Sequence, residues 1–519
     1  MVMELGTVIG STTLRGFRFV IKDGREEHVK RDEFVVVQES VTANKILGVV
    51  KDIVVSNELL PEEFSRELRM SDLLLKEGEY PVPIVKTLGI NEAGTLELPR
   101  HGIQPGSPVW LAEDKDLKAL LELPQRRAAK IGSLATRKSI EVGVDLNELV
   151  SRHCAVLAMT GAGKSYTVGV LLEELMKKNG SVVVFDLHNE FTNMDFEGAE
   201  TKIYSTERNQ KTGDLLRIDA SSLSLYDFMS LLPDITTTQQ DLLDELLNLT
   251  KRFYDQYDLS TLLKTLSILY DVKKSGKKKE DTVFPGDHLK SMTRKVGLST
   301  IGALMRRIKR IQRIGIFTLE GTGLDELVSP NQLTIVNLSE SDEHISEIVV
   351  AAVSRKIFHA RKKHLKDRQS GLKTPTFLVL EEAHNFAPAS ADGMHSISRS
   401  ILRKIAREGR KFGVGVCLVS QRPNKLDSDI LSQCNTQFIM KIVNPADQDH
   451  IRQSVESVTE DVVRDLPALA RGEAVVAGSA IRFPVTVKIR KRETHVGGQD
   501  IDIISAWNAL TKKNGGGGR

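Results

Sequence analysis

The chain has 519 residues, roughly three times a typical domain length, so two to four domains are expected. With 40% hydrophobic and 27% charged residues, its composition is ordinary for globular proteins and excludes a wholly disordered or fibrous chain. Its 72 lysines and arginines nearly balance 69 aspartates and glutamates, and the net charge of +3 gives no evidence by itself for a nucleic-acid partner.

Cysteine usage and hydropathy limit the class of protein further. The three cysteines show no CxxC spacing, which predicts neither a disulfide framework nor a cysteine zinc site. No apolar run reaches the roughly 18 to 20 residues that cross a bilayer. The N-terminal residues lack the basic and then apolar pattern of a signal peptide. We therefore expect a cytoplasmic protein with no membrane contact.

Residues 1–112 are predicted to form a small β-domain. Short β-branched segments separated by Gly and Asp turns lie at 7–9, 17–21, 33–37 and 46–50. Strands at this spacing are typical of a small barrel or sandwich. A helical pattern at 58–75 interrupts the series, and the charged residues 113–150 are expected to be a linker.

The pattern then changes to alternating strands and helices, which indicates a parallel α/β sheet. Strand patterns at 182–185 and 333–338 flank a helical, basic stretch at about 205–330, which we interpret as an insertion into this domain. The α/β domain is predicted to span 151–495, and the glycine-rich residues 496–519 are predicted to form a flexible tail.

A glycine-bearing turn follows the first strand of the α/β domain. Residues 155–165 contain AVLAMTGAGKS, an apolar strand, a turn and the start of a helix. Gly161 and Gly163 let successive backbone N–H groups point at a phosphate, and the helix dipole adds positive potential. We expect Lys164 to reach the β- and γ-phosphates and Ser165 to ligate Mg²⁺. The sequence therefore predicts a P-loop that binds ATP and Mg²⁺.

The residues expected to hold the nucleotide lie in this turn or at the start of its helix. They are Thr160, Gly161, Ala162, Gly163, Lys164, Ser165 and Tyr166. Asp186, which ends the strand at 182–185, is expected at the same edge of the sheet. Its sequence position allows either a place in the water network or a structural hydrogen bond.

A second apolar strand is predicted at 377–382, and it ends in Glu381 and Glu382. A P-loop ATPase needs one acid for the Mg²⁺ shell and one to polarise the attacking water. Since neighbouring side chains on a strand point to opposite faces, the two glutamates cannot play the same part. We assign Glu381 to the metal and Glu382 to the general base.

A further core strand, at 413–420, ends at Gln421. Because parallel strands present their carboxyl ends at one edge, Gln421 is expected beside the γ-phosphate, where it would sense the loss of that group. The alternative is a polar cap at the end of the strand.

A GTPase is the rival interpretation of the same turn. Residues 424–427, NKLD, match the NKxD pattern that reads guanine, and residues 195–198, DFEG, match DxxG. Both patterns are short, and no strand directly precedes Asp195. The acidic pair that ends the strand at 377–382 is the better second half of the site.

Five motifs stand in order along the chain: SRH at 151–153, MTGAGKS at 159–165, FDLHNEF at 185–191, LEEAHNFAP at 380–388 and VSQRP at 419–423. Taken together, these motifs resemble the archaeal HerA DNA translocases of the FtsK–HerA superfamily. The resemblance covers most of the chain. It implies an α/β fold with a RecA-like P-loop motor and a helical insertion, preceded by a small N-terminal β-barrel of the HAS-barrel type.

The resemblance also implies a homo-hexameric ring that moves double-stranded DNA through its pore, and a NurA-type nuclease partner in DNA-end resection for repair and homologous recombination. It marks Arg407, in the basic segment 398–411, as a residue that crosses to the neighbouring subunit's γ-phosphate. Such a cation stabilises the charge of the transferring phosphoryl group. Arg152 resembles a second contact in trans.

The pore residues of such a motor should be basic, because they hold phosphates regardless of base sequence. The candidates are Arg361, Lys362, Lys363 and Lys366, with Arg306, Arg307, Lys309 and Arg310 as alternatives. Two other functions stay open. One is a ring ATPase that moves another polymer in conjugation, secretion or protein remodelling, and the other is a scaffold whose nucleotide site only controls assembly.

Overall fold

The structure is a computed structural model that describes residues 3–57, 79–92, 95–207, 213–232, 235–276, 284, 286–389, 396–495 and 503–504. The predicted helix at 58–75 and nearly all of the predicted tail from residue 496 lie outside this part of the chain. The chain divides into two compact units, Met1–Lys164 with Asn435–Lys491, and Ser165–Cys434 with Arg492–Arg519.

The strands, in chain order, are β1 (Glu4–Thr13), β2 (Gly16–Ile21), β3 (Phe34–Gln38), β4 (Lys45–Asn57), β5 (Glu79–Glu92), β6 (Thr95–Glu97), β7 (Pro108–Leu111), β8 (Ala128–Leu134), β9 (Glu141–Asp145), β10 (Cys154–Leu157), β11 (Ser181–Asp186), β12 (Glu200–Ser205), β13 (Asp214–Leu215), β14 (Ile218–Asp219), β15 (Phe317–Thr318), β16 (Gln332–Asn337), β17 (Thr376–Leu380), β18 (Val414–Ser420), β19 (Thr436–Ile439), β20 (Glu473–Gly478) and β21 (Val485–Ile489).

The α-helices are α1 (Asp114–Leu121), α2 (Leu146–Ser151), α3 (Lys164–Met176), α4 (Leu225–Leu231), α5 (Thr237–Phe253), α6 (Leu259–Ser275), α7 (Gly286–Lys295), α8 (Leu298–Ile314), α9 (Leu324–Leu327), α10 (Glu343–Lys366), α11 (Ile397–Phe412), α12 (Ser428–Ser432), α13 (Pro445–Ser454) and α14 (Glu460–Asp465).

The first unit begins with a closed β-barrel. Its six strands follow the order β2-β1-β7-β3-β4-β5, and the pairing of β2 with β5 closes the ring, while β6 forms a hairpin with β5. Alternate residues point inward, and Phe17, Phe19, Val35, Val37 and Val109 are buried in the interior. Closure leaves no open edge on the six strands. The predicted N-terminal barrel is confirmed.

The segment 113–150, which we expected to be a linker, is instead folded. It forms α1, β8, β9 and α2, and β8 pairs with both β9 and β21. The charges that suggested a linker are partly structural, since the guanidinium of Arg137 lies 2.7 Å from the Glu33 carboxylate and 2.9 Å from that of Asp114. Leu117 and Leu120 of α1 are buried. An ion-paired arginine inside a fold leaves no pattern that distinguishes it from a solvated charge.

The second unit contains a parallel sheet in the order β13-β12-β16-β11-β17-β18. Strands β11, β16, β17 and β18 are buried along their whole length, as is typical of parallel strands in α/β proteins. The strands predicted at 182–185 and 333–338 correspond to β11 and β16. The predicted α/β class is therefore confirmed.

Helices α4 to α8 form the helical insertion. They lie in the sequence between β14 and β15, which pair with each other as a two-stranded parallel sheet. Helix α8 buries Ile301, Leu304, Ile308 and Ile311 along one face, and it exposes Arg306, Lys309 and Arg310. Within the described ranges, no helix combines the length and the hydropathy needed to span a bilayer.

Candidate active site

The P-loop lies between β10 and α3. Strand β10 is buried and pairs in parallel with β19. Gly161 and Gly163 adopt φ angles of +79° and +107°, in a region that glycine enters without steric cost. A Cβ on Gly163 would lie 3.2 Å from the Met440 Cε, and the Gly472 N–H donates to the Ala162 carbonyl at 3.1 Å. The geometry is the strand, glycine turn and helix that a phosphate loop requires.

Helix α3 is held by polar contacts with the segment after residue 491. The Tyr166 hydroxyl accepts the Arg492 N–H at 2.6 Å. The buried carboxylate of Glu173 accepts the backbone N–H groups of Glu493 and Thr494 at 2.8 and 2.9 Å. Gly169 leaves room for the Arg492 guanidinium, which a Cβ would meet at 2.6 Å. The Tyr166 side chain therefore helps to fix α3.

Asp186, at the end of β11, is fully buried. Its carboxylate accepts the N–H groups of Glu190 at 3.0 Å and Phe191 at 2.9 Å. Burial and the neighbouring carboxylate of Glu381 raise the pKa of Asp186 to about 7. Of the two roles that the sequence allowed, the structural hydrogen bond is the one that this geometry displays.

Glu381 follows β17 and is also buried. Its Oε2 accepts the N–H groups of Leu187 at 2.8 Å and His188 at 3.0 Å, and its Oε1 lies 3.1 Å from the His188 Nδ1. This hydrogen bond, together with the charge of Glu381, raises the pKa of His188. The loop after β11 is thereby tied to the end of β17.

Glu382 has left-handed backbone angles, with φ +46° and ψ 49°, and it precedes a short 3₁₀ helix, Ala383–Asn385. Such angles are uncommon for a residue with a Cβ, and they occur preferentially at functional sites. The His384 Nδ1 lies 3.3 Å from the Glu382 Oε2 and 3.1 Å from the Ser420 Oγ. These contacts connect Glu382 with the end of β18.

Our expectation that the two glutamates point to opposite faces of a strand is wrong. One ligand atom from each of Glu381, Glu382 and His188 lies within 4.8 Å of the other two. The reason is that β17 ends at Leu380, so the alternation of a strand no longer applies. The two carboxylates suit Mg²⁺, which prefers oxygen ligands.

Sequence reasoning missed His188, although it lies in the FDLHNEF motif. Its side chain is 54% exposed, in contrast to the buried acids beside it. The available signal was its position two residues after Asp186, at the edge of the sheet where ligands bind.

Gln421 directly follows β18 and is half-buried. Strand β18 pairs in parallel with β17, so both strands end at the same edge of the sheet. The preceding residue, Ser420, is fully buried, and its Oγ accepts the Arg422 N–H at 3.0 Å. Gln421 therefore lies at the edge that also carries Glu382, as its sequence position predicted.

The two arginines marked by the family resemblance differ in their surroundings. Arg407 lies on α11 with its side chain 63% exposed, and its Nη2 is 3.4 Å from the Asp429 Oδ2. Arg152 follows α2, is half-buried, and places its Nε 2.9 Å from the Glu148 Oε2. The guanidinium of Arg407 is accessible to another molecule, such as a second subunit.

One candidate DNA contact is contradicted by the structure. Arg361 is buried on α10, and its guanidinium donates to the carbonyls of Phe412, Leu372 and Lys373 at 2.8, 2.9 and 2.5 Å. Burial lowers the pKa of Arg361. This arginine is a structural clamp. Lys363, two residues further along, is exposed.

The guanine-reading interpretation of residues 424–427 is also wrong. The carboxylate of Asp427 would have to face a base, but it is buried. Its Oδ1 accepts the Ile430 N–H at 3.1 Å and caps α12, and its Oδ2 accepts two N–H groups of Arg403. Both carboxylate oxygens of Asp427 therefore accept hydrogen bonds from the protein itself, and the buried carboxylate is not positioned to read a base.

A glycine-rich phosphate loop, a parallel α/β sheet with acids at its carboxyl edge and an N-terminal barrel define a P-loop ATPase of the motor type. Comparison with known proteins gives the family. Residues 129–357 match the family described as "Helicase HerA, central domain", and residues 5–98 match the "HAS barrel domain".

Two relatives match over nearly their whole length. The probable helicase MJ1565 of Methanocaldococcus jannaschii is 31% identical over 512 residues, which cover 97% of this chain and 94% of that protein. The DNA double-strand break repair helicase HerA of Pyrococcus furiosus is 30% identical over 563 residues, 98% and 97% of the two chains. The chain belongs to the HerA helicase family and is an ATP-hydrolysing helicase.

Among solved structures, VirB4 of Thermoanaerobacter pseudethanolicus is similar to 71% of this chain. The match covers 97% of that protein, with 15% identity and a TM-score of 0.48.

Proposed function

We propose that this protein is a hexameric, Mg²⁺- and ATP-dependent translocase on double-stranded DNA that acts with a NurA-type nuclease in the resection of broken DNA ends. Relatives of matching length are named DNA double-strand break repair helicases. The observation that carries the motor function is the buried pair Glu381 and Glu382, at the carboxyl edge of a parallel sheet.

In the proposed site, residues 160–166 surround the nucleotide, and Lys164 contacts the β- and γ-phosphates. Asp186 holds the loop that follows β11 through its two backbone hydrogen bonds. Ser165 and Glu381 are the proposed Mg²⁺ ligands. The ion, when bound, neutralises charge on the β- and γ-phosphate oxygens. Glu381 fits this role because its buried carboxylate lies beside that of Glu382, and carboxylate oxygens are the ligands that Mg²⁺ prefers.

Glu382 is the proposed general base that orients the attacking water and takes its proton. Its left-handed backbone supports this role, because such strained conformations cluster at active sites. Gln421, at the same edge, is proposed to respond to the loss of the γ-phosphate.

Arg407 is proposed to complete the active site of the neighbouring subunit, with Arg152 as a second contact in trans. A cation supplied from outside stabilises the charge of the transferring phosphoryl group. The exposure of Arg407 supports this role, since an arginine buried inside its own subunit could not reach a neighbouring subunit.

DNA contacts are proposed for the exposed cations Lys363 and Lys366 of α10, with Arg306, Lys309 and Arg310 of α8 as the alternative set. These side chains suit a phosphate backbone and carry no information about base sequence.

The test is ATP hydrolysis by the purified protein with duplex DNA, single-stranded DNA or no DNA, together with a mass measurement of the assembly. We expect the duplex to stimulate hydrolysis most, and the stimulation to weaken steeply as salt increases. A hexameric mass is expected. A hydrolysis rate that is the same with and without DNA would favour a motor for another polymer. ATP binding with negligible turnover, with or without DNA, would favour an assembly scaffold.

The partner is tested by adding a NurA-type nuclease to blunt duplex ends. Degradation should require both proteins and ATP. Equal degradation by the nuclease alone would contradict the proposed partnership.

A further inference from the structure

Three segments of the second unit are bonded to one another around the beginning of α11. They are the loop after β17, the loop after β18 and α11 itself. The Ser398 Oγ of α11 donates to the Phe386 carbonyl at 2.7 Å, and the Arg399 Nη1 donates to the Pro388 carbonyl at 3.3 Å. Helix α11 is thereby attached to the loop that starts at Glu381 and contains Glu382, the proposed general base.

The two loops are also attached to each other. The Asp427 N–H donates to the Ala387 carbonyl at 2.9 Å, and the Ala389 N–H donates to the Lys425 carbonyl at 2.8 Å. Between these bonds, Pro388 and Leu426 form an isolated antiparallel bridge. The loop that starts at Gln421 therefore cannot shift far without moving the loop that starts at Glu381.

An ion pair joins α11 to the loop after β18. The Asp427 Oδ2 accepts the Arg403 Nε at 3.1 Å and Nη2 at 2.6 Å, and the Asp427 side chain is 1% exposed. The pair raises the pKa of Arg403, whose charge is stabilised by its partner. A two-donor contact with a buried carboxylate is more rigid than an exposed pair, because both distance and angle are constrained.

Arg403 lies one helical turn before Arg407 on α11. The Asp429 Oδ2, two residues after Asp427, is 3.4 Å from the Nη2 of each of these arginines. Helix α11 and the loop after β18 are therefore linked by ion pairs at both arginines.

We propose that Arg403 and Asp427 are positioning residues that couple a subunit's own nucleotide site to the arginine that it presents to its neighbour. The inference rests on the proposed function, in which Glu382 and Gln421 act within the subunit and Arg407 acts on the next one. When loss of the γ-phosphate displaces the loop after β18, the ion pair transmits that displacement to α11. The position of Arg407 then depends on the nucleotide state of its own subunit.

The test measures how hydrolysis depends on inactive neighbours. Particles are co-assembled with increasing fractions of Glu382→Gln subunits, which retain the P-loop. With coupling intact, ATPase activity falls more steeply than the active fraction, because each inactive subunit holds its arginine in one position. With Arg403→Gln combined with Asp427→Asn, the fall should become linear, with a Hill coefficient for ATP of about 1.

The paired substitution removes the charged two-donor contact and leaves no buried charge without a partner. The amide oxygen introduced by Asp427→Asn can still cap α12, which protects the fold. Arg403→Lys keeps the charge and should restore much of the steepness. Arg410→Gln, an exposed arginine on the same helix, is the matched control and should leave the curve unchanged. A purely structural role for the pair would lower the melting temperature or the activity at every fraction without changing the shape of the curve.

The outcomes separate the two proposals. If unsubstituted particles lose activity only in proportion to the inactive fraction, neighbouring subunits are not coupled and this inference is overturned. The trans role of Arg407 is not affected by that result, because Glu382→Gln subunits still carry this arginine. If unsubstituted particles give a steep curve and the Arg403 and Asp427 variant gives the same curve, the proposed function stands and this inference is overturned.

Discussion

The barrel and the parallel sheet both bury acidic side chains, but the buried acid of the barrel is paired with an arginine, whereas the buried acids of the sheet lie near other acids. In the barrel, Glu33 is matched by Arg137, whose Nε and Nη2 lie 2.8 and 2.7 Å from the same carboxylate oxygen. At the edge of the sheet, Asp186 and Glu382 each lie buried near Glu381, and burial together with the Glu381 charge raises the pKa of Asp186 to about 7. Negative charge is compensated in one region and concentrated in the other, as is typical of a site that must hold a cation or move a proton.

The largest effect is expected from Glu382→Gln. It should lower ATP turnover by about 10² to 10⁴-fold, because the base is lost, while the barrel and the sheet remain folded. Steady-state hydrolysis and the melting temperature measure the two effects. Glu320→Gln, at an exposed glutamate, is the matched control. Turnover within about tenfold of the unsubstituted protein would mean that the concentrated charge serves another purpose.

Arg407→Ala is the next largest change. Loss of the proposed trans cation should slow hydrolysis by about 10³-fold, whereas Arg410→Ala on the same helix should have little effect. Mixing Arg407→Ala subunits with Glu382→Gln subunits should recover part of the activity, because some interfaces then contain one intact copy of each residue. An absence of recovery would count against the trans role.

Arg361→Ala extends the comparison to a buried cation inside the motor unit. We expect a loss of about 3 kcal/mol of folding stability, because three carbonyl groups lose a charged donor. Urea unfolding measures this loss. Lys363→Ala, at an exposed position, should change stability by less than about 0.5 kcal/mol. Equal stabilities for the two variants would contradict the structural role of Arg361.

Glu33→Gln tests the compensated acid of the barrel and should have the smallest effect. It removes an ion pair that is largely shielded from water, so we expect about 2 kcal/mol of destabilisation and an unchanged ATPase rate per folded molecule. Thermal unfolding and steady-state hydrolysis check the two parts. A loss of hydrolysis without a loss of stability would show that the barrel charge also serves catalysis.

Features set by local sequence could be predicted. Alternating β-branched residues predicted the barrel strands, and the glycine turn before Lys164 predicted the P-loop, because these patterns reflect backbone preferences. The left-handed backbone of Glu382 could not be predicted, since a glutamate carries no sequence signal for positive φ.

Contacts between distant residues were also beyond sequence reasoning. Arg361 lies in a basic run that resembles a solvated helix face, and only the folded chain brings the Leu372 and Phe412 carbonyls to it. The pairing of Arg403 with Asp427 is hidden in the same way, because 24 residues separate the partners. Charge counts do not distinguish buried clamps from surface cations.

The most direct test of the central claim is a structure of the protein with a non-hydrolysable ATP analogue and Mg²⁺. We predict that Lys164 lies against the β- and γ-phosphates, that Ser165 and Glu381 approach the metal, and that Glu382 faces the γ-phosphate. A bound magnesium ion remote from both glutamate carboxylates would contradict the assignment of this sheet edge as the site of ATP hydrolysis.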